Sequence, residues 1–229
     1  MKNWFLALLI VFWSIPVLAE VEPAQPPDSG EIVKYETKDG GMLTAAEIDW
    51  SEYTEVALDR ATVEFRENWA EDQKRIFNNI LRESDLERIR AEMSDMLHKV
   101  LSEKVASTDG YALSAENGQG VLRFTPRILK LDIYQPAKAQ DYVGHVLVDN
   151  EGSMVITLDI TDSFTGKLLA SSWNVQVDPE KGFMWSSTRG GNRTAFGQMM
   201  KRWANWQFEM FDIVRSGELL PEKGPDTIN

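Results

Sequence analysis

The chain contains no cysteine among its 229 residues. Disulfides, thiol catalysis, thiolate metal sites and lipid attachment through an N-terminal cysteine are therefore excluded. Histidine is scarce, with only His98 and His145, and nothing in their spacing supports a shared metal or acid–base site. Positive charge is in the minority: 24 Lys and Arg stand against 36 Asp and Glu, a net charge of −12. Nucleic acid needs a basic face, so this balance argues against it as a partner. Simple electrostatic docking on anionic lipid is disfavoured for the same reason. No Gly-x-Ser-x-Gly elbow and no strand-encoded phosphate loop occurs. The sequence assigns no catalytic residue, no metal ligand and no cofactor.

The one long apolar run is at the start. Residues 1–19, MKNWFLALLIVFWSIPVLA, place Lys2 ahead of an apolar stretch, then Pro16, then small residues where a signal peptidase cuts. The run is shorter than the ~20 residues that span a bilayer comfortably. We therefore expect a signal peptide cleaved between Ala19 and Glu20, and a periplasmic mature chain with neither a lipid anchor nor a transmembrane segment. Loss of Lys2 takes the net charge from −12 to −13. With 43% hydrophobic residues the remainder can bury a core of its own.

Residues 20–30, EVEPAQPPDSG, carry three prolines and no apolar period. Residues 20–49 are read as an extended mobile leader, 50–217 as one domain and 218–229 as a disordered tail. Within the domain, Ala61, Val63 and Phe65 alternate with polar neighbours, so the second half of 53–65 reads as a strand. A helix over 68–81 is carried by Trp69, Ile76, Phe77 and Ile80. A second, over 85–105, shows a Ser84/Glu87 capping box and an apolar stripe of Leu86, Ile89, Met93, Met96, Leu97, Val100 and Leu101. Segment 121–133 is strand-like but changes phase, and Pro126 predicts a bulge or break there. Segments 154–161 and 167–177 flank Asp162-Ser163-Phe164-Thr165-Gly166 and predict an antiparallel hairpin. The last helix, capped by Asn192 and ending near Gly217, presents Phe196, Met199, Met200, Trp203, Met210, Phe211 and Val214 on one broad face. The expected fold is α+β: a mainly antiparallel sheet of four or more strands, covered on one face by two or more helices.

Four motifs occur in a characteristic order: Asp85-Leu86-Glu87-Arg88-Ile89, Gly120-Val121-Leu122-Arg123-Phe124, Leu158 through the Asp162–Gly166 turn, and Arg202-Trp203-Ala204. In this order the chain resembles an exported bacterial lipoprotein family of unassigned activity, domain of unknown function 3313, from about Trp50 to Val214. The resemblance implies an envelope location and transfers no catalytic residue. Many members of that family look like lipoproteins with a cysteine at the cleavage site, which this chain lacks.

Several residues suggest chemistry. Asp132, Asp159 and Asp162 offer carboxylates for a hydrolase, although solvent exposure of Asp159 and turn formation by Asp162 account for those two more simply. Residues 149–153, DNEGS, hint at a cation loop without its full ligand spacing. Gly190 and Gly191 ahead of Arg193 are read as a flexible connector. The binding candidate is Phe183-Met184-Trp185 with Arg189 nearby: large apolar residues in a polar, Gly-flanked loop either fold back onto the sheet or anchor a partner. The sequence thus points to a non-enzymatic envelope protein that binds another protein or an envelope component. The rival readings are a carrier of a small apolar ligand or lipid and a carboxylate-dependent hydrolase.

Overall fold

The computed structural model describes residues 32–77, 80–134, 147–148, 151–179, 185–186 and 189–216, with the backbone alone at 76–77, 147–148, 185–186 and 189–190. In chain order the elements are β1 (Ile32–Thr37), β2 (Gly40–Ala45), a 3-10 turn (Trp50–Glu52), β3 (Glu55–Leu58), β4 (Thr62–Phe65), α1 (Trp69–Phe77), α2 (Glu83–Ala106), β5 (Ala112–Ser114), β6 (Val121–Ile133), β7 (Leu147–Val148), β8 (Gly152–Asp162), β9 (Leu168–Val177), β10 (Trp185–Ser186) and α3 (Arg189–Ser216). This is an α+β fold. Eight strands form one mixed, mostly antiparallel sheet in the order β1-β2-β9-β8-β6-β3-β5, with β4 also paired to β6. The strands β7 and β10 form a separate two-stranded ribbon.

The sheet is not wholly antiparallel because β3 and β4 both run parallel to β6. Parallel neighbours need a crossover rather than a tight turn, and the chain between β4 and β6 contains α1 and α2. Segment 53–65, whose second half was expected as a strand, holds two strands divided at residues 59–61, and this break explains how Pro126 sits inside a continuous β6. Phe124 accepts from the Asp59 N–H at 3.0 Å. Backbone groups on a strand alternate in direction, so Pro126 also faces the β3/β4 side. Its missing N–H therefore falls opposite the gap between β3 and β4, and no ladder bond is lost. The expected break at Pro126 is corrected accordingly. The phase change lies further on, between Leu129 and Asp132, where Lys130 has φ 51°. That bulge turns Leu131 and Ile133 back into the core.

Other boundaries move. Residues 32–45, expected in the leader, instead form the β1–β2 hairpin, and β2 pairs with β9 from Gly40↔Asn174 to Thr44↔Ala170. The α2 helix is capped by Arg82 rather than Ser84, and the Asp85 carboxylate accepts from the Arg82 N–H at 2.9 Å. Glu87 has no part in that cap. The last helix begins at Arg189, so Gly190, Gly191 and Asn192 lie inside its first turn.

The core joins residues of α2 and α3 to sheet residues of one parity. Leu122, Phe124 and Ile128 of β6 and Ile156, Leu158 and Ile160 of β8 are buried together with Met93, Leu97 and Leu101 of α2. Each residue assigned to the broad face of α3, from Phe196 to Val214, is also buried in this cluster. Phe211 meets Trp50 edge-on at 5.2 Å, and the Phe124 ring lies 6.3 Å from Phe208 and 6.1 Å from Phe211. Stacking of Trp69 on Phe65 at 4.3 Å, with its indole N–H donating to the Ile133 carbonyl, fixes α1 to the end of β6.

Candidate functional site

Phe183 and Met184 of the expected binding loop lie outside the described residues. The backbone of Trp185 belongs to β10, antiparallel to β7 with Trp185 opposite Val148. Arg189 opens α3, one turn before Arg193. The structure thus sets Trp185 on a ribbon separate from the main sheet, and α3 is the next element in the chain.

Along α3, Arg189, Arg193, Gly197 and Lys201 recur every four residues and form one row on the helix surface. The last three line a groove of about 400 Å³ between α3 and α2. Met96 and Val100 of α2 join Gly197 as its apolar lining, and Glu92, Asp95, Lys99 and Glu103 contribute the α2 rim. Each acid on that rim is engaged: Glu92 with Arg88 at 3.1 Å, Asp95 with Arg60, and Glu103 with Lys99 at 3.8 Å. Arg193 and Lys201 are exposed, and neither has an ion-pair partner among the described residues.

A second polar constellation lies on strand residues that alternate with the buried ones of β6 and β8. Register places Arg127, Thr157 and Trp173 side by side in one row, and Thr125, Asp159 and Ser171 in the next. Arg127 reaches Asp159 at 2.9 Å, and its Nε donates to the Thr157 hydroxyl at 3.2 Å. Asp59 accepts from both Arg123 (2.8 and 3.1 Å) and Thr125 (2.8 Å). The two carboxylates titrate in opposite directions. Burial pushes the Asp159 carboxyl up, and Arg127 offsets this only in part. Burial also acts on Asp59, but there the hydrogen bonds from Arg123 and Thr125 outweigh it and hold the carboxyl below its ordinary value. Asp159 is thus half-buried rather than solvent-facing, and its Oδ1 has no partner among the described residues.

The three aspartates do not converge. Asp162 pairs in register with Leu122 and Asp159 with Thr125, so the two point to opposite faces. Asp162 holds its turn: its Oδ1 accepts from the N–H groups of Phe164 at 3.0 Å and Thr165 at 2.7 Å, and Gly166 takes φ 74°. Its Oδ2 accepts from the Tyr53 hydroxyl at 2.8 Å. Burial, together with this carboxylate, pushes that hydroxyl well above its ordinary value. Asp132 is paired with Arg66 at 2.8 Å, beside Ser153 in register. Six residues along β8 separate Ser153 from Asp159, about 20 Å at strand rise. That exceeds the roughly 5–9.5 Å a glycosidase carboxylate pair uses. In the proposed cation loop, Asp149 and Asn150 lie outside the described residues. The Glu151 N–H donates to Asp178 at 3.0 Å, and Gly152 begins β8. His98 lies partly buried on α2, and His145 is outside the described residues.

The groove was missed in the sequence because Met96 and Val100 belong to the apolar stripe of α2, which reads as core, and nothing local sets the charged row of α3 against them. The four-residue row through Gly197 was the available signal. Phe164, 74% exposed at the tip of the β8–β9 turn, was also passed over, because the turn chemistry belongs to its neighbours.

No family model matches the chain, and no curated protein matches it. Resemblance to domain of unknown function 3313 therefore rests on the ordered motifs alone. Among solved structures, the chain is distantly similar to a PelC variant dodecamer from Paraburkholderia phytofirmans, at 9% identity and TM-score 0.37, covering 71% of this chain and 92% of that one. It is also similar to a Xanthomonas campestris protein of domain of unknown function 330, at 12% identity and TM-score 0.37, covering 55% and 63%. A neuraminyllactose-binding hemagglutinin homolog from Helicobacter pylori follows at 14% identity and TM-score 0.30, covering 76% and 94%. Likenesses this distant carry no argument about function. Among the described residues, no helix is long and apolar enough to cross a membrane.

Proposed function

We propose that this chain is an exported cell-envelope protein, periplasmic after cleavage at Ala19, that works by binding another protein or an envelope component and not by catalysis. The observation that carries the reading is the position of Trp185, on a two-stranded ribbon off the main sheet and immediately before α3. A tryptophan on such a ribbon, four residues ahead of an arginine in sequence, suits an interface anchor. We infer further that α2 and α3 cover one face of the sheet. The sheet residues that α3 touches, Phe124 of β6 and Ser172 of β9, share that face; Ser172 donates to Gln207 of α3, and Met93, Leu97 and Leu101 of α2 are buried in the same cluster as Phe124.

The carrier reading is weakened by the packing of Phe124, Trp203, Phe208 and Phe211, which occupies the layer between sheet and C-terminal helix. In-cell crosslinking from a photoreactive residue at position 185 tests the proposal. One dominant envelope protein is expected as the crosslinked species. No crosslink from a folded, exported protein overturns it. The export component has its own check, since intact mass places the mature N-terminus at Glu20 or else retains residues 1–19.

A further inference from the structure

We propose that the groove between α2 and α3 seats an amphipathic helix of a partner protein bearing two carboxylates about two turns apart. The inference rests on the protein-binding reading above and specifies the partner's chemistry.

The first support is Gly197. Packing does not demand it here, because a Cβ at 197 meets only the Met96 sulfur, at an ordinary 3.5 Å. A small residue here leaves the lining open between Arg193 and Lys201, where a larger side chain fills it.

Charge is the second support. The rim acids of α2 are matched within the fold, whereas Arg193 and Lys201 have no ion-pair partner among the described residues of a chain with net charge −12. Eight residues along a helix span about 12 Å. A partner helix lying along the groove with Asp or Glu at i and i+7 or i+8 reaches both cations. Its apolar residues at i+3 and i+4 then rest on Gly197, Met96 and Val100. An anionic membrane surface fits less well, because a flat sheet of headgroups does not enter a groove whose apolar floor is Gly197, Met96 and Val100.

Fluorescence anisotropy on the purified exported protein tests this with two designed peptides. Both are helical with a leucine stripe; one carries glutamates at i and i+8, the other lysines. The glutamate peptide is expected to bind at least about tenfold more tightly, and the Arg193→Glu/Lys201→Glu variant to reverse that order. Gly197→Leu, which fills the groove, is expected to weaken binding about tenfold, and Gly197→Ala to leave it within about twofold. Thermal melts by circular dichroism establish that each variant is folded.

Equal affinity for the two peptides, binding of neither, or full binding by Gly197→Leu overturns the proposal. So does binding to phosphatidylglycerol vesicles that the double variant abolishes, which assigns the cations to a membrane. The two readings fail separately: a crosslink at position 185 without peptide selectivity leaves the binding module standing and removes the helix-binding groove.

Discussion

Alternate residues on β6 and β8 live in different surroundings. Leu122, Phe124, Ile128, Ile156, Leu158 and Ile160 are buried in the core shared with α2 and α3. Their neighbours Arg123, Thr125, Arg127, Thr157 and Asp159 build ion pairs and hydrogen bonds on the other side. The first face depends on apolar burial, which is indifferent to protonation; the second depends on charges, which acid and salt weaken. The same strands therefore carry most of the stability on one side and the pH response on the other.

Removing the largest buried ring is the strongest way to sharpen this contrast. Trp203→Ala is expected to cost about 3–5 kcal/mol in denaturant unfolding, and Arg127→Ala only about 1 kcal/mol. Equal losses would break the comparison. Next is Gly152, whose φ of 138° puts any Cβ 1.9 Å from the Asp132 carbonyl oxygen beside the bulge. Gly152→Ala is expected to cost about 1–3 kcal/mol from strain, seen as a lowered melting temperature.

Two smaller effects have opposite signs. Asp59 titrates below its ordinary value of 3.8 in the fold, so its stabilisation is present above that pH and is lost as pH falls through the folded value. Asp59→Asn should lose about 1–2 kcal/mol at neutral pH, and the gap from the parent protein should close in acid. Asp159 titrates above 3.8, so its ionisation costs stability as pH rises from 3.8 through the folded value. Asp159→Asn should therefore gain on the parent protein over that rise, by less than about 1 kcal/mol with Arg127 still able to reach an amide oxygen. A pH series of urea midpoints for both variants decides the signs. Parallel profiles would show that the two carboxylates share one environment.

Local periodicity made a large part of this fold legible. The stripe from Phe196 to Val214 is buried as its spacing requires, and the 154–161 alternation with its Asp162 turn forms the β8–β9 hairpin. The β1–β2 hairpin was also within reach: Val33, Tyr35 and Thr37 alternate with Lys34 and Glu36 ahead of Asp39-Gly40, a turn signal hidden by the proline-rich stretch before it. The phase change near Pro126 was seen but misplaced, because proline is costly only where its side of the strand needs an N–H. Of the candidate site, the row through Gly197 and the apolar stripe of α2 were each readable, but not that Met96 and Val100 of the stripe face that row across a groove.

By itself the sequence determined the long helices, the β8–β9 hairpin and its turn, and an acidic chain without thiol chemistry. These follow from contacts between residues a few positions apart and from composition. Tertiary structure alone decided that β3 and β4 run parallel to β6, that Tyr53 donates to Asp162 across 109 residues, that Asp59 and Asp159 titrate in opposite directions, and that α2 and α3 leave a groove over Gly197. Desolvation, ion pairing and surface shape depend on which distant segments are brought together, and no local period encodes that.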